Sequence, residues 1–399
     1  MAAYIAAGQL IQRVSAFYSR ETQSATNGRF EALDGLRGLL AFGVFFHHAR
    51  FTWQYYNTGK WEAPEHGFYH ALGPLSVAFF FAITAFLFWG KALAAGGKIN
   101  GLRLLDNRVR RIAPMYLCSL ALIGLVLLTI ARFQFSPDFS HVAWQAVPSL
   151  FLGLGGLPDA TVQSVPVKMV NAWIFWTLRW EWAFYFSLPV LAILLRRAWA
   201  FTLFVVGLLI GGLLFPSKPL AQISAFLVGM CAAKFVGVRG SLVPLRSWQA
   251  TAAGVLLIML APLAMGSYFH QQTGANWTSL TTLFLAFPFA AIVSGNKCFG
   301  LLTLPGIKLL GFISYSVYVL HGIVLFVTMR WVNGVLPIKG MSPALYWFMA
   351  GLSGLITLGL AAITYRWIEY PWLHRKGVQR QLASEPEFPS VSPGAVTQV

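Results

Sequence analysis

The chain reads as long apolar stretches separated by short polar ones. A membrane-spanning helix needs about twenty mostly apolar residues. Ten stretches approach that length: 32–50, 70–93, 111–133, 171–195, 199–215, 219–238, 249–268, 277–294, 307–330 and 343–369. The segment 142–157 is apolar but short, and it holds Pro148 and three glycines. It is expected to re-enter or to lie at the interface, with an eleventh span as the alternative. The pattern predicts an all-α, polytopic integral membrane protein of about ten helices around a central groove. Residues 1–31 read as a segment preceding the bundle, 32–371 as the membrane domain and 372–399 as a tail. That tail is polar and proline-rich, cannot bury a core, and is expected to be disordered.

One stretch breaks the apolar pattern. Leu33–Arg50, LDGLRGLLAFGVFFHHAR, carries Asp34, Arg37, His47 and His48 within a single span. Ionisable side chains are costly in lipid and should face a bundle interior or a watery cavity. Arg37 and His48 are eleven residues apart, so they share a helix face and lie roughly 16 Å apart along the axis. Asp34, Arg37, Ala41, Val44 and His48 step by three and four and form one stripe. This stripe is expected to be the groove, with a cation at one end and a titratable base at the other.

Composition supports the membrane assignment. The chain is 57% hydrophobic and only 10% charged, against about 25% charged in a soluble domain. A net charge of +17 would suit nucleic acid, but Lys and Arg fall in the short loops. With the N-terminus inside, inner regions hold 20 of them and outer regions 7. Both termini are therefore expected on the cytoplasmic side of the membrane. No basic patch is interleaved with exposed aromatics, which argues against nucleic acid. Cys118, Cys231 and Cys298 lie far apart without metal-ligand spacing, and no metal is expected. The loops 51–69 and 134–170 are rich in aromatics and amides such as Trp53, Trp61, His66, Gln134 and Gln163. They suit either sugar rings or an interfacial aromatic belt.

Four further groups carry possible chemistry. Arg103–Arg111, RLLDNRVRR, is the densest basic run, read as positive-inside charge or as a phosphate clamp. Glu181 in WTLRWEWAFY falls near mid-membrane, as a structural ion-pair partner of Arg179 or as a functional carboxylate. Ser314, Tyr318 and His321, with Tyr315 and Ser316, form a polar face that could be interhelical glue or part of a site. Glu369 ends the last span and is expected to anchor Arg366 or a basic loop.

Taken together, these motifs resemble acyltransferase family 3, the integral-membrane bacterial O-acyltransferases, from about Leu33 to Pro371. The family's LDGLRG followed by a histidine, with ten residues between Arg and His, is met by Arg37 and His48. Its Arg-x-x-Arg before Ile-x-Pro-x-Tyr is similar to Arg108, Arg111, Ile112, Pro114 and Tyr116. Its Trp-Ser-Leu-x-x-Glu-x-x-Phe-Tyr resembles Trp176–Tyr185, with Thr177 in place of Ser. Its Gly-x-Ser-Tyr-Ser-x-Tyr-x-x-His is matched from Gly311 to His321, and its Glu-x-Pro by Glu369 and Pro371. Its Phe-Phe-x-x-Ser-Gly-Phe-Leu departs here: Thr84 keeps the hydroxyl, but Ala85 adds a methyl where Gly permits close backbone approach.

The resemblance implies transfer of an acyl group, acetyl in the expected case, from acetyl-CoA to a hydroxyl of a cell-envelope or lipid-linked carbohydrate. His48 would be the base and Glu181 its orienting carboxylate. Arg37, Arg108 and Arg111 would hold the donor's phosphates, with the pantetheine arm along the Ala41–Val44 groove. Asp34, Thr84, Tyr116, Tyr185, Ser314, Tyr315, Ser316 and His321 would support them. A covalent acyl-histidine is the alternative mechanism. A proton-coupled carrier is the competing function, because intramembrane His, Arg and Glu mark such pathways too.

Overall fold

The computed structural model describes residues 1–24, 30–62, 67–134, 137–214, 218–239, 243–267 and 277–374. The tail with Arg375, Lys376 and Arg380 lies outside the described residues, as do Arg29 and His66.

The helices run α1 (Ala2–Val14), α2 (Ala16–Ser24), α3 (Glu31–Thr58), α4 (Phe68–Ala94), α5 (Gly101–Ile130) and α6 (Pro137–Gln145). A two-stranded hairpin of β1 (Thr161–Val162) and β2 (Val165–Pro166) leads to α7 (Val167–Val170). Then come α8 (Trp176–Leu194), α9 (Ala198–Leu214), α10 (Lys218–Arg239), α11 (Trp248–Ser267) and α12 (Trp277–Val293). The last group is α13 (Pro305–Phe312), α14 (Ser314–Val335) and α15 (Pro343–Thr364), followed by a π turn (Tyr365–Glu369) and α16 (Tyr370–Leu373).

The all-α expectation holds. Five helical stretches among the described residues are long and apolar enough to cross a membrane: Phe68–Ala94, Gly101–Ile130, Pro219–Gly237, Ser314–Val335 and Pro343–Leu373. The expected count of about ten is not confirmed. α3 is long at 28 residues but polar at intervals, and α9, α11 and α12 are apolar helices of 17, 20 and 17 residues. No span occupies 142–157, where α6 ends and a four-residue 3-10 turn at Val147–Leu150 follows. Pro148 and the glycines after it account for the break.

Packing is closest where glycine removes a Cβ. A Cβ on Gly311 would come within 2.0 Å of the Asp34 carbonyl oxygen, and one on Gly35 within 2.0 Å of that of Leu302. The glycines of LDGLRG therefore let α3 lie directly on α13 and the turn before it. Ala85 is reconciled with its neighbours by the opposite helix. It is fully buried on α4, and a Cβ on Gly229 of α10 would sit 2.8 Å from its methyl. The close approach survives because the missing Cβ has moved across the interface.

α1 is seated on the bundle rather than lying free at an interface. Tyr4 is buried, stacks on Phe42 at 4.5 Å and donates to the Gly351 carbonyl at 3.1 Å. In α2, Tyr18 donates to the Ala362 carbonyl.

A basic cavity leading to a histidine pair

A cavity of about 500 Å³ opens between α3, α4, α5, α8 and α14. Its wall is built chiefly from α4, through Val77, Phe80, Phe81, Thr84, Leu87, Phe88 and Lys91. These recur at three- and four-residue steps, as one helix face must. Val77 and Lys91 are fourteen residues apart, so the cavity follows roughly 21 Å of that helix. The expected groove on α3 is corrected here: only Asp34 and Arg37 of the stripe line the cavity. Ala41 and Val44 are buried in packed cores instead. Their small, apolar side chains are what helix packing requires, and periodicity alone could not distinguish this from a groove.

The mouth is charged. Arg37, Lys91, Arg108 and Arg111 line it, with Asp34 and Glu181 as the carboxylates. The two clamp arginines, three residues apart on α5, differ in their bonding. Arg111 makes an ion pair with Glu369, which is fully buried and also accepts from Ser316 Oγ at 2.9 Å. The π turn carries Glu369 inward, so its partner is Arg111 rather than Arg366. Arg108 lies over the rings of Phe88 (4.7 Å) and Tyr185 (5.8 Å) and bonds the Tyr185 hydroxyl. Its buried Nε has no hydrogen-bond partner among the described residues. Arg37 pairs with Asp34 at 3.3 Å on its own helix.

Thr177, Glu181 and Tyr185 lie at four-residue steps on α8 and all face the cavity. Thr177 Oγ1 and the Tyr318 hydroxyl are 2.9 Å apart at the far end. Glu181 therefore sits midway, about 6 Å in helix rise from either neighbour. It feels Arg108, Arg37 and Arg111 electrostatically, and no ion pair or hydrogen bond joins it to His48. Arg179 points the other way and donates to the Gly155 carbonyl at 3.0 Å. Among the remaining expected supports, Thr84, Ser314 and Tyr315 line the cavity, and Tyr315 donates to the Ile112 carbonyl at 2.9 Å. Tyr116 does not reach it. Its hydroxyl donates to the Ser149 carbonyl at 2.7 Å and so anchors the segment after α6.

Beyond the far end lies His48. Its Nδ1 is 3.0 Å from Nε2 of His321, and the two rings stack with centroids 5.1 Å apart. His321 is fully buried, and its Nδ1 is 2.6 Å from the Tyr318 carbonyl oxygen. Tyr318 thus joins cavity and pair. The axial gap is short. Ser76, beside Val77, abuts Gly43 of α3, and His48 is five residues further on, about 7.5 Å of rise. His48 bonds His321 of α14, and Glu181, midway along the cavity, is joined to neither ring by a hydrogen bond or ion pair.

Sequence reading missed Asn171. It is fully buried, its Oδ1 accepts from the Trp173 amide at 3.0 Å, and its Nδ2 has no partner among the described residues. Its backbone packs against Gly322, next to His321. Ala172 and Trp173 after it are both left-handed, at φ 53° and 61°, a costly conformation for such residues. A lone asparagine at the edge of a span has no periodicity to reveal it. Among the described residues, no group of three or more His, Cys, Asp or Glu is placed to hold a metal ion.

Comparison with known proteins adds one firm result. No curated protein and no solved structure matches the chain. The family model of the acyltransferase domain, acyltransferase 3, matches residues 30–366, which include every side chain described around the cavity except Glu369. The chain belongs to acyltransferase family 3 and is a membrane acyltransferase.

Proposed function

We propose that the chain transfers an acyl group, acetyl in the expected case, from an acyl-CoA to a hydroxyl of a cell-envelope or lipid-linked carbohydrate. The observation that carries this is the polarity of one cavity. It is cationic at one end and ends in hydroxyl groups next to a histidine pair at the other. Arg108, which lines the cavity and has no carboxylate partner among the described residues, suits a phosphate oxygen. Arg37 and Lys91 would add charge around it. Arg111 serves the donor less directly, since Glu369 already answers its charge. Acyl-CoA, when bound, supplies the acyl group as a thioester.

His48 acts as general base on the acceptor hydroxyl. Asn171 is the donor for the carbonyl oxygen where negative charge develops. The mouth faces the cytoplasm in this reading, as the loop charges suggest, and the acceptor enters from the periplasmic side. A second cavity of about 560 Å³ supports that side as the acceptor platform. It is lined by Gln134, Phe139, His141, Thr161, Gln163 and Ser164, among others, an aromatic and hydrogen-bonding surface that suits neutral sugars.

The test compares ester-linked acetyl on cell-envelope glycans from wild type, a deletion strain and His48→Ala at equal protein abundance. NMR and mass spectrometry report it. Acetyl lost in the last two identifies the acceptor and supports the base assignment. Normal acetylation by His48→Ala would remove His48 from the chemistry.

A further inference from the structure

Two side-chain contacts place the protons of the histidine pair, alongside the backbone carbonyls of Val44 and Val317, which also lie against the rings of His48 and His321 and can only accept. The Tyr318 carbonyl oxygen can only accept, so His321 Nδ1 must carry the hydrogen of that 2.6 Å contact. In a neutral ring, Nε2 of His321 is then a lone pair. It lies 3.0 Å from His48 Nδ1. Two lone pairs facing each other at that distance would repel, so His48 Nδ1 carries a hydrogen and donates. The lone pair of His48 is left on Nε2, the ring atom turned away from His321. An imidazolium at His321 would reverse this order. It would be a fully buried charge, and no carboxylate is hydrogen-bonded to either ring among the described residues. Burying a charge unpaired is far more costly than burying a neutral ring.

The geometry points to His321 as the positioning residue that sets the tautomer of His48, presenting Nε2 as the proton-accepting atom. This rests on His48 as the base. The proton balance is simple. The acceptor hydroxyl gives its proton to His48 Nε2 as its oxygen bonds to the acyl carbon. The imidazolium so formed is held by the lone pair of His321 Nε2, and its proton then passes to the departing thiolate. His321 touches no reactant and keeps its own Nδ1 hydrogen on Tyr318 throughout. The scheme has the logic of a hydrolase triad, in which a third group orients the base, with an imidazole where a carboxylate usually stands.

The experiment uses the full chain in lipid nanodiscs with ¹⁵N-labelled histidine. The resonances of His48 are identified by their loss in His48→Ala. The expected wild-type spectrum shows His48 with a protonated Nδ1 and an unprotonated Nε2. In His321→Ala the His48 signals move toward the Nε2-protonated form. His321→Gln, whose side-chain oxygen can accept from His48 Nδ1, returns them toward wild type. In membranes supplied with ¹⁴C-labelled acetyl-CoA, His321→Ala lowers the rate of acetyl transfer about 10- to 100-fold with KM unchanged, and His321→Gln restores part of it. An Nε2-protonated His48 in wild type overturns the proposal, as does a His321→Ala protein with unchanged tautomer and rate. If His48→Ala is inactive while His321→Ala is normal, only the positioning role fails. If His48→Ala is fully active, the base assignment itself fails.

Discussion

The two ends of the cavity solve opposite problems. At the mouth, cations stand in contact with open volume, and one of them, Arg108, has no carboxylate partner among the described residues. At the far end the histidine pair is neutral in our reading, closely packed, and has its ring hydrogens answered by Tyr318 and by the partner ring. An anionic ligand is recognised by charge that borders open volume. A base that must work inside a membrane is kept neutral and oriented. The same contrast recurs three residues apart on α5. Arg111 has a buried counter-ion, Glu369, and Arg108 has aromatic faces and an open side. One is answered by a buried carboxylate, the other only by rings and a hydroxyl.

The largest test of this contrast is His48→Ala. Loss of the base should lower transfer about 10³-fold, with the protein folded and the donor KM held, because His48 is remote from the charged mouth. A rise in KM of the same size would place the donor's recognised groups at the wrong end. Next comes Arg111→Ala. Removing one partner of a buried ion pair leaves the other uncompensated, at a cost of about 3–5 kcal/mol. The expected result is a lower melting temperature in detergent and poor expression. Arg111→Met combined with Glu369→Leu should recover most of the stability, since an apolar pair of similar volume is often neutral. If Arg111→Ala instead folds normally and only binds donor weakly, the division of labour on α5 is wrong.

Much of this was legible in the sequence, and the residue spacing explains how much. The polar stretch of α3, the basic run of α5 and the Ser314–His321 face all carry periodicity, and each does contribute to the cavity or the histidine pair. What periodicity lacks is the neighbour. It showed that Ala41 and Val44 share a face with Arg37, but not that packed neighbours cover both of them while α4 lines the groove. It placed Glu181 and His48 at comparable depth, yet could not tell that α8 presents its carboxylate together with Thr177 and Tyr185. The partners His321 and Glu369 lie 273 and 258 residues from His48 and Arg111 in the chain, and only the fold brings them together.

A smaller effect is expected from Arg108→Ala. Hydrogen bonds to a charged group contribute about 1.5–3 kcal/mol, so the KM for acyl-CoA should rise about 10- to 100-fold while kcat and melting temperature stay near wild type. Arg108→Lys should recover little, because a point charge cannot reproduce a planar fork stacked on Phe88 and Tyr185. Titrating membranes with acetyl-CoA separates the two parameters, and a kcat loss at constant KM would transfer Arg108 to the reacting end.

The smallest effect is also the one that assigns Glu181 to an end. The carboxylate lies midway, touches neither His48 nor His321, and is felt by the arginines of the mouth. It competes with an anionic ligand for those arginines. Glu181→Gln removes the competitor, so the KM for acyl-CoA should fall about two- to fivefold, the scale of a partly solvated ion pair, with kcat nearly constant. A carboxylate that oriented the base would behave in the opposite way. Its loss would leave KM alone and cut kcat by about 10² or more. The sign of the KM change and the size of the kcat change, measured on one variant, therefore decide whether Glu181 belongs with the charges that recognise the donor or with the groups that move the proton.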